Sequence, residues 1–129
     1  MGDIPRGNRP LSPHLSVYRL PMTAITSILT RITGQVMMAG LLLIVWWLVA
    51  AVAGPRAFAH ADWVLRSWLG ALVLFGSAWA LWYHFLAGIR HFFFDARVLL
   101  TKEEGRQSSW FIIVASAVLT LITVLLFVF

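Results

Sequence analysis

Apolar residues in this chain run in three long blocks, and the charged residues are confined to the segments between them. Residues 32–55, 67–89 and 107–129 contain no Asp, Glu, Lys or Arg. A membrane-spanning helix needs about 20 such residues. The pattern therefore predicts an all-α integral membrane protein of a single domain with three transmembrane helices, spanning about 30–53, 64–90 and 108–129. Pro5, Pro10 and Pro13 keep the polar segment 1–21 from forming regular helix, whereas Pro21 suits a helical first turn, where its missing N–H costs nothing. The first helix is predicted over 22–53 and ends at Gly54-Pro55. After a short 56–62 loop, Asp62 is the expected N-cap of a second helix that runs to about Leu100. A polar loop from Lys102 to Gly105 follows, and Ser108 or Ser109 is expected to cap the third helix. Trp63, Trp68, Trp82 and Trp110 are placed for interfacial belts, and Trp46 and Trp47 for contact with lipid or partner helices.

Composition supports this picture. The chain is 60% hydrophobic and 12% charged, about half the charge fraction of a soluble domain. The net charge of +5 does not indicate a nucleic-acid binder, because the basic residues flank the spans and form no patch interleaved with aromatics. Arg6, Arg9, Arg19 and Arg31 precede the first span, and Arg90, Arg97, Lys102 and Arg106 surround the second connection. Only Arg56 and Arg66 lie at the first connection. The positive-inside rule then predicts a multi-pass protein with a cytoplasmic N-terminus, a cytoplasmic 95–107 loop and a C-terminus on the opposite side. The absence of cysteine excludes disulfides, iron–sulfur ligation and thiol chemistry by this chain. Ala51-Val52-Ala53 looks like a signal-peptide cleavage site, but the apolar stretch before it is too long, so an uncleaved span is expected. A stand-alone enzyme is not indicated, since there is no nucleophile–base pair, no carboxylate pair within a span and no nucleotide loop.

Ionisable groups at membrane depth carry the candidate chemistry. His84 lies within the second uncharged stretch. If the first two helices form an antiparallel hairpin turning near residue 58, His84 is level with roughly residue 32 and shares its depth with Arg31. Gly70, Gly76, Ser77, Ala80, Ala87, Gly88 and His91 fall within ~80° of His84 on the helical wheel. Such a face gives a porphyrin clearance beside an axial histidine, and it equally makes a helix-packing seam in which His84 is only hydrogen-bonded. On the first helix Thr23, Ser27, Thr30, Arg31 and Gly34 form a polar stripe. A guanidinium beside a hydroxyl suits a carboxylate or a quinone carbonyl, while serine or threonine here can also just bond its own backbone. The first and third uncharged stretches contain no histidine, and His84 and His91 share a helix. A bis-histidine haem would thus take its second ligand from another chain.

Two motifs resemble a known family, the cytochrome b membrane-anchor subunits of succinate dehydrogenase (respiratory complex II) of mitochondrial and α-proteobacterial type. One is Arg9-Pro-Leu-Ser-Pro-His-Leu-Ser-Val-Tyr18 followed by Ser27-Ile-Leu-Thr-Arg-Ile-Thr-Gly34; the other is His84-Phe-Leu-Ala-Gly-Ile-Arg-His91 with Asp95. The resemblance covers essentially the whole chain. It implies three helices forming half of a bundle with a second membrane-anchor subunit, and an assembly with a flavoprotein and an iron–sulfur subunit, for which a trimer of heterotetramers is left open. The implied setting is the bacterial inner (plasma) membrane. The implied cofactor is haem b and the implied substrate ubiquinone. His84 is the implied axial ligand of the haem iron, Ser27 and Arg31 the quinone residues, with Arg31 also near the haem propionates, and His91 and Asp95 the propionate edge. The N-terminal segment would pack under the iron–sulfur subunit. Many members carry histidine where this chain has Thr30, which places any role of that histidine in doubt here. The alternatives are a fumarate reductase anchor using menaquinone and a non-redox membrane anchor whose histidines only pack.

Overall fold

A computed structural model describes residues 18–128, and the N-terminal segment, with Arg9, His14 and the first half of the N-terminal motif, lies outside the described residues. Four α-helices follow in order: α1 (Met22–Ala53), α2 (Pro55–Arg66), α3 (Trp68–Asp95) and α4 (Lys102–Val128). Of these, α1, α3 and α4 are long and apolar enough to cross a membrane.

The 32 residues of α1 make a rod of about 48 Å, longer than the ~30 Å hydrocarbon layer. Pro21 starts it, as the sequence indicates. Gly54 ends it with φ 121° and ψ 172°, a backbone state open essentially only to glycine. Pro55 then occupies the first turn of the next helix.

The first connection corrects the sequence reading. Residues 56–62 are not a loop but most of α2, a 12-residue helix. Phe58 turns inward to stack on Trp47 with ring centroids 5.5 Å apart, and Ala61 is fully buried. Trp63 is 70% exposed on the opposite face. Asp62 does not cap α3; it sits inside α2 and pairs with Arg66 one turn later, N to O 2.7 Å. The cap is Ser67, whose Oγ accepts from the Gly70 amide and donates to the Val64 carbonyl. A Cβ at position 70 would collide with the carbonyls of Val64 and Leu65, so the tight α2–α3 corner requires glycine there.

The second connection also differs. α3 stops at Asp95, five residues before the expected end. The Arg97 amide donates to the Phe94 carbonyl and the Val98 amide to the Phe93 carbonyl, the pattern of a Schellman cap. Arg97, at φ 60°, holds the left-handed position usually given to glycine. α4 begins near Lys102 rather than at Ser108. Thr101 and Glu104 form a reciprocal capping box: the Glu104 amide donates to Thr101 Oγ1 and the Thr101 amide to the Glu104 carboxylate. Glu103 and Glu104 also place negative charge at the positive end of the helix dipole.

α1 and α3 form the antiparallel hairpin, and α4 packs against both. Tyr83, Ala87 and Ile112 are the buried core, with Leu29, Trp79, Leu86 and Ile113 against it. The closest approaches run through small residues. Gly40 meets Ser77, and Gly105 meets Thr23. Thr33, Ser116 and Thr120 are fully buried, and each satisfies its hydroxyl on a carbonyl of its own helix, so small side chains rather than large apolar ones line the seams. Trp82, expected in an interfacial belt, instead donates from Nε1 to Thr123 Oγ1 of α4 at 2.9 Å. Large apolar side chains cover the outside, among them Leu42, Val49, Phe111 and Leu126.

Candidate functional site

His84 is half-buried on α3 and faces α1. Its Nδ1 lies 3.1 Å from the Thr30 carbonyl oxygen and 3.3 Å from Thr33 Oγ1. The hairpin therefore sets His84 level with residues 30 to 33, as the turn arithmetic indicates. A carbonyl oxygen can only accept, so Nδ1 carries the proton and donates to Thr30. The Thr33 hydroxyl proton is already given to the Leu29 carbonyl at 2.9 Å, which leaves Thr33 Oγ1 an acceptor toward the same Nδ1–H. Of the two neutral tautomers, this contact selects the one whose Nε2 has a free lone pair. This is the arrangement found behind metal-bound histidines, where the hydrogen bond at one nitrogen fixes the other for ligation.

Gly34 makes this contact possible. A Cβ there would lie 3.3 Å from His84 Cε1, tighter than ordinary contact. From Gly34 an apolar groove of about 600 Å³ runs along the α1–α3 seam, lined by Met37, Met38, Leu41, Ile44, Leu74 and Leu81 among others. It is open on one side. Of the small-residue stripe on α3, Ala80 and Ala87 are packed inside, whereas Gly76 and Gly88 have nothing within 4 Å of a modest side chain's first carbon. The stripe accordingly serves both purposes that its sequence allows: part is packing seam and part is open space.

The remaining candidates separate. Ser27 and Arg31 are exposed on α1, four residues apart on one face, next to the Thr26 and Thr30 positions that contact α3. His91 and Asp95 are exposed on α3, toward its C-terminal end from His84. His91 packs edge-on against Phe94 at 5.8 Å. Asp95 pairs with neither Arg31 nor Arg90. The Thr30 hydroxyl is spent on the Thr26 carbonyl at 2.8 Å, so what Thr30 offers the site is its backbone oxygen.

Sequence reasoning missed Arg90. It was read as a topological charge, yet it is buried, 9% exposed. Its Nη1 donates to Thr26 Oγ1 at 3.2 Å and to Ser109 Oγ at 3.0 Å, and the guanidinium stands 4.9 Å from the centre of the Phe94 ring. Tyr83, wholly buried, donates its hydroxyl to the Thr26 carbonyl at 2.9 Å. The signal was present: Tyr83, Ala87, Arg90 and Phe94 follow one helical stripe, which adjoins the His84 stripe and shares Ala87 with it.

The sequence profile described as "Succinate dehydrogenase/Fumarate reductase transmembrane subunit" matches residues 5–123. The chain belongs to this family. The succinate dehydrogenase cytochrome b556 subunit of Paracoccus denitrificans is 61% identical over 127 residues, covering 98% of each chain. That of Rickettsia felis is 30% identical, covering 88% of this chain and 89% of the relative. The succinate dehydrogenase cytochrome b560 subunit of Reclinomonas americana is 31% identical, covering 93% and 87%. The three apolar helices are thus those of a succinate dehydrogenase-type transmembrane subunit, related to both α-proteobacterial and mitochondrial members.

Proposed function

We propose that this subunit binds haem b through His84 and ubiquinone beside Ser27 and Arg31, and so carries electrons from succinate oxidation to the quinone pool. The hydrogen bond from His84 Nδ1 to the Thr30 carbonyl carries the reading, because it selects the neutral tautomer that offers Nε2 as the ligand atom. Gly34 and the neighbouring groove fit the apolar body of a porphyrin, and the cations and hydroxyls toward the cytoplasmic end suit its carboxylates. Haem, when bound, supplies a one-electron redox centre. The chain's own residues do the rest. His84 fixes the iron position, and Met37, Met38 and Leu81 exclude water from the groove. Arg31 offers a fixed positive charge to a propionate or to the oxygen of a reduced quinone, and Ser27 offers a hydroxyl to the quinone carbonyl.

Several further features of the assembly belong to this proposal. Spans α1 and α4 carry no histidine, so a bis-histidine haem would take its second ligand from the second membrane-anchor subunit. The flavoprotein and iron–sulfur subunits dock at the end carrying Arg31, Arg90 and Lys102, which the positive-inside rule makes cytoplasmic. The C-terminus then lies across a bacterial plasma membrane. The relatives' names favour succinate oxidation over fumarate reduction within a family that includes both.

The quinone half is tested by titrating purified complex with a ubiquinone analogue, normalised to succinate-driven dye reduction. Ser27→Ala and Arg31→Gln are each expected to lower quinone-linked turnover on the order of 10-fold or more, the scale of one charge-assisted hydrogen bond. Unchanged turnover in both would place the quinone elsewhere.

A further inference from the structure

We infer that Arg90 is a positioning residue of the quinone site: by gripping Thr26 and Ser109 it sets the rotation and height of α1 that present Ser27 and Arg31. This rests on the proposed quinone reading.

A guanidinium inside a membrane bundle is costly to bury and is retained where it does something that an apolar side chain cannot. Among the described residues no carboxylate pairs with Arg90. Its charge is met instead by two hydroxyl oxygens and an aromatic face. Those two hydroxyls belong to different helices, and they also bond each other, Thr26 Oγ1 to Ser109 Oγ at 3.1 Å. Arg90 of α3 thereby closes a three-way node with α1 and α4. Thr26 is held a second time through its carbonyl, which takes the Tyr83 hydroxyl at 2.9 Å and the Thr30 hydroxyl at 2.8 Å.

Thr26 precedes Ser27, and one turn later Thr30 supplies the acceptor for His84. A helix is stiff over one turn, so fixing Thr26 against α3 fixes the azimuth of both. Without the node, the hydrogen bonds between the first turns of α1 and α3 among the described residues reduce to those of His84 with Thr30 and Thr33 and of Tyr83 with Thr26, beside the packing of Leu29. Rotation there would carry Ser27 and Arg31 away from a bound quinone while leaving the α3–α4 core of Tyr83, Ala87 and Ile112 intact. A pure staple would be served as well by apolar packing. A directional fork reaching two hydroxyls specifies orientation.

The test uses the assembled complex with Arg90→Gln, Thr26→Val, Thr26→Ser and Ser27→Ala. Three quantities are read: KM for a soluble ubiquinone, turnover with a dye that bypasses the membrane subunits, and the low-spin haem resonances by electron paramagnetic resonance. Arg90→Gln and Thr26→Val are each expected to raise the quinone KM roughly 10-fold relative to dye reduction, the scale of a lost charge-assisted hydrogen bond. They are also expected to shift the haem g-values through the Thr30–His84 contact. Thr26→Ser keeps the hydroxyl and stays near wild type. The Arg90→Gln/Thr26→Val double variant is expected to be no worse than either alone, because both break one node. The inference is overturned if these variants lower only the yield of complex, with KM and g-values of the assembled fraction unmoved while Ser27→Ala raises KM. If Ser27→Ala itself leaves KM unmoved, the quinone assignment has failed, and the inference falls with it.

Discussion

At the residue scale, the site depends on which atoms a single imidazole can use. His84 donates from Nδ1 to the Thr30 carbonyl and is pressed against Gly34 through Cε1. The depth of His84 relative to α1 could be counted from the hairpin in the sequence. The tautomer could not, because it depends on a backbone oxygen of another helix. Charge at a span end looks the same whether it points to water or into the bundle, so in the sequence only the stripe shared with Tyr83, Ala87 and Phe94 separates Arg90 from the topological arginines around it. The Gly34 contact gives a direct check. Gly34→Ala places a methyl 3.3 Å from Cε1, so His84 must shift by a few tenths of an ångström. Haem is expected to be retained with a changed midpoint potential. Gly34→Leu fills the head of the groove, and haem content per complex, measured as the pyridine haemochromogen, is expected to fall to near zero. Full haem content in Gly34→Leu would show that the groove beside Gly34 is not used.

At the scale of elements, the three spans were legible because charge-free runs of this length have one physical use. The ends of α1, at Pro21 and Gly54, were legible too; those of α3 and the start of α4 were not, and the reasons differ. Asp62 looked like a cap, but Ser67 holds that position because Gly70 lets α2 and α3 meet at a sharp corner. The capping box at Thr101-Lys-Glu-Glu104 was written in the sequence and lost to the later serines. The end of α3 had no signal at all: Arg97 takes a left-handed conformation without being glycine or asparagine. That conformation costs an L-residue roughly 1–2 kcal/mol, so Arg97→Gly is expected to stabilise the folded chain by up to about 1 kcal/mol after glycine's own entropy cost. A higher thermal midpoint of the assembled complex would bear this out, and a lower one would mean that the Arg97 side chain makes a contact worth more than the strain.

At the scale of the whole molecule, a three-helix unit presents an open seam with its candidate ligand half-exposed and its outer faces apolar. Such a surface is complete only against lipid and a partner. The proposed orientation rests on Arg19, Arg31, Lys102 and Arg106 gathering at one end, with Arg56 and Arg66 at the other. Because the chain contains no cysteine, single substitutions report it cleanly. Ala59→Cys, on an exposed position of α2, is expected to react with a membrane-impermeant maleimide added to intact cells stripped of their outer wall. Lys102→Cys, at the start of α4, is expected to react only after the membrane is opened. The opposite pattern would invert the topology and move the candidate site away from the cytoplasmic partners.

Haem binding in the proposed function rests on His84 as the ligand of the iron. A reduced-minus-oxidised visible spectrum of the purified complex, with His84→Ala beside wild type, tests it most directly. The expected result is a b-type α-band in wild type that is lost or shifted in the variant at equal subunit content. A band unchanged by His84→Ala would contradict it and assign the iron to other residues.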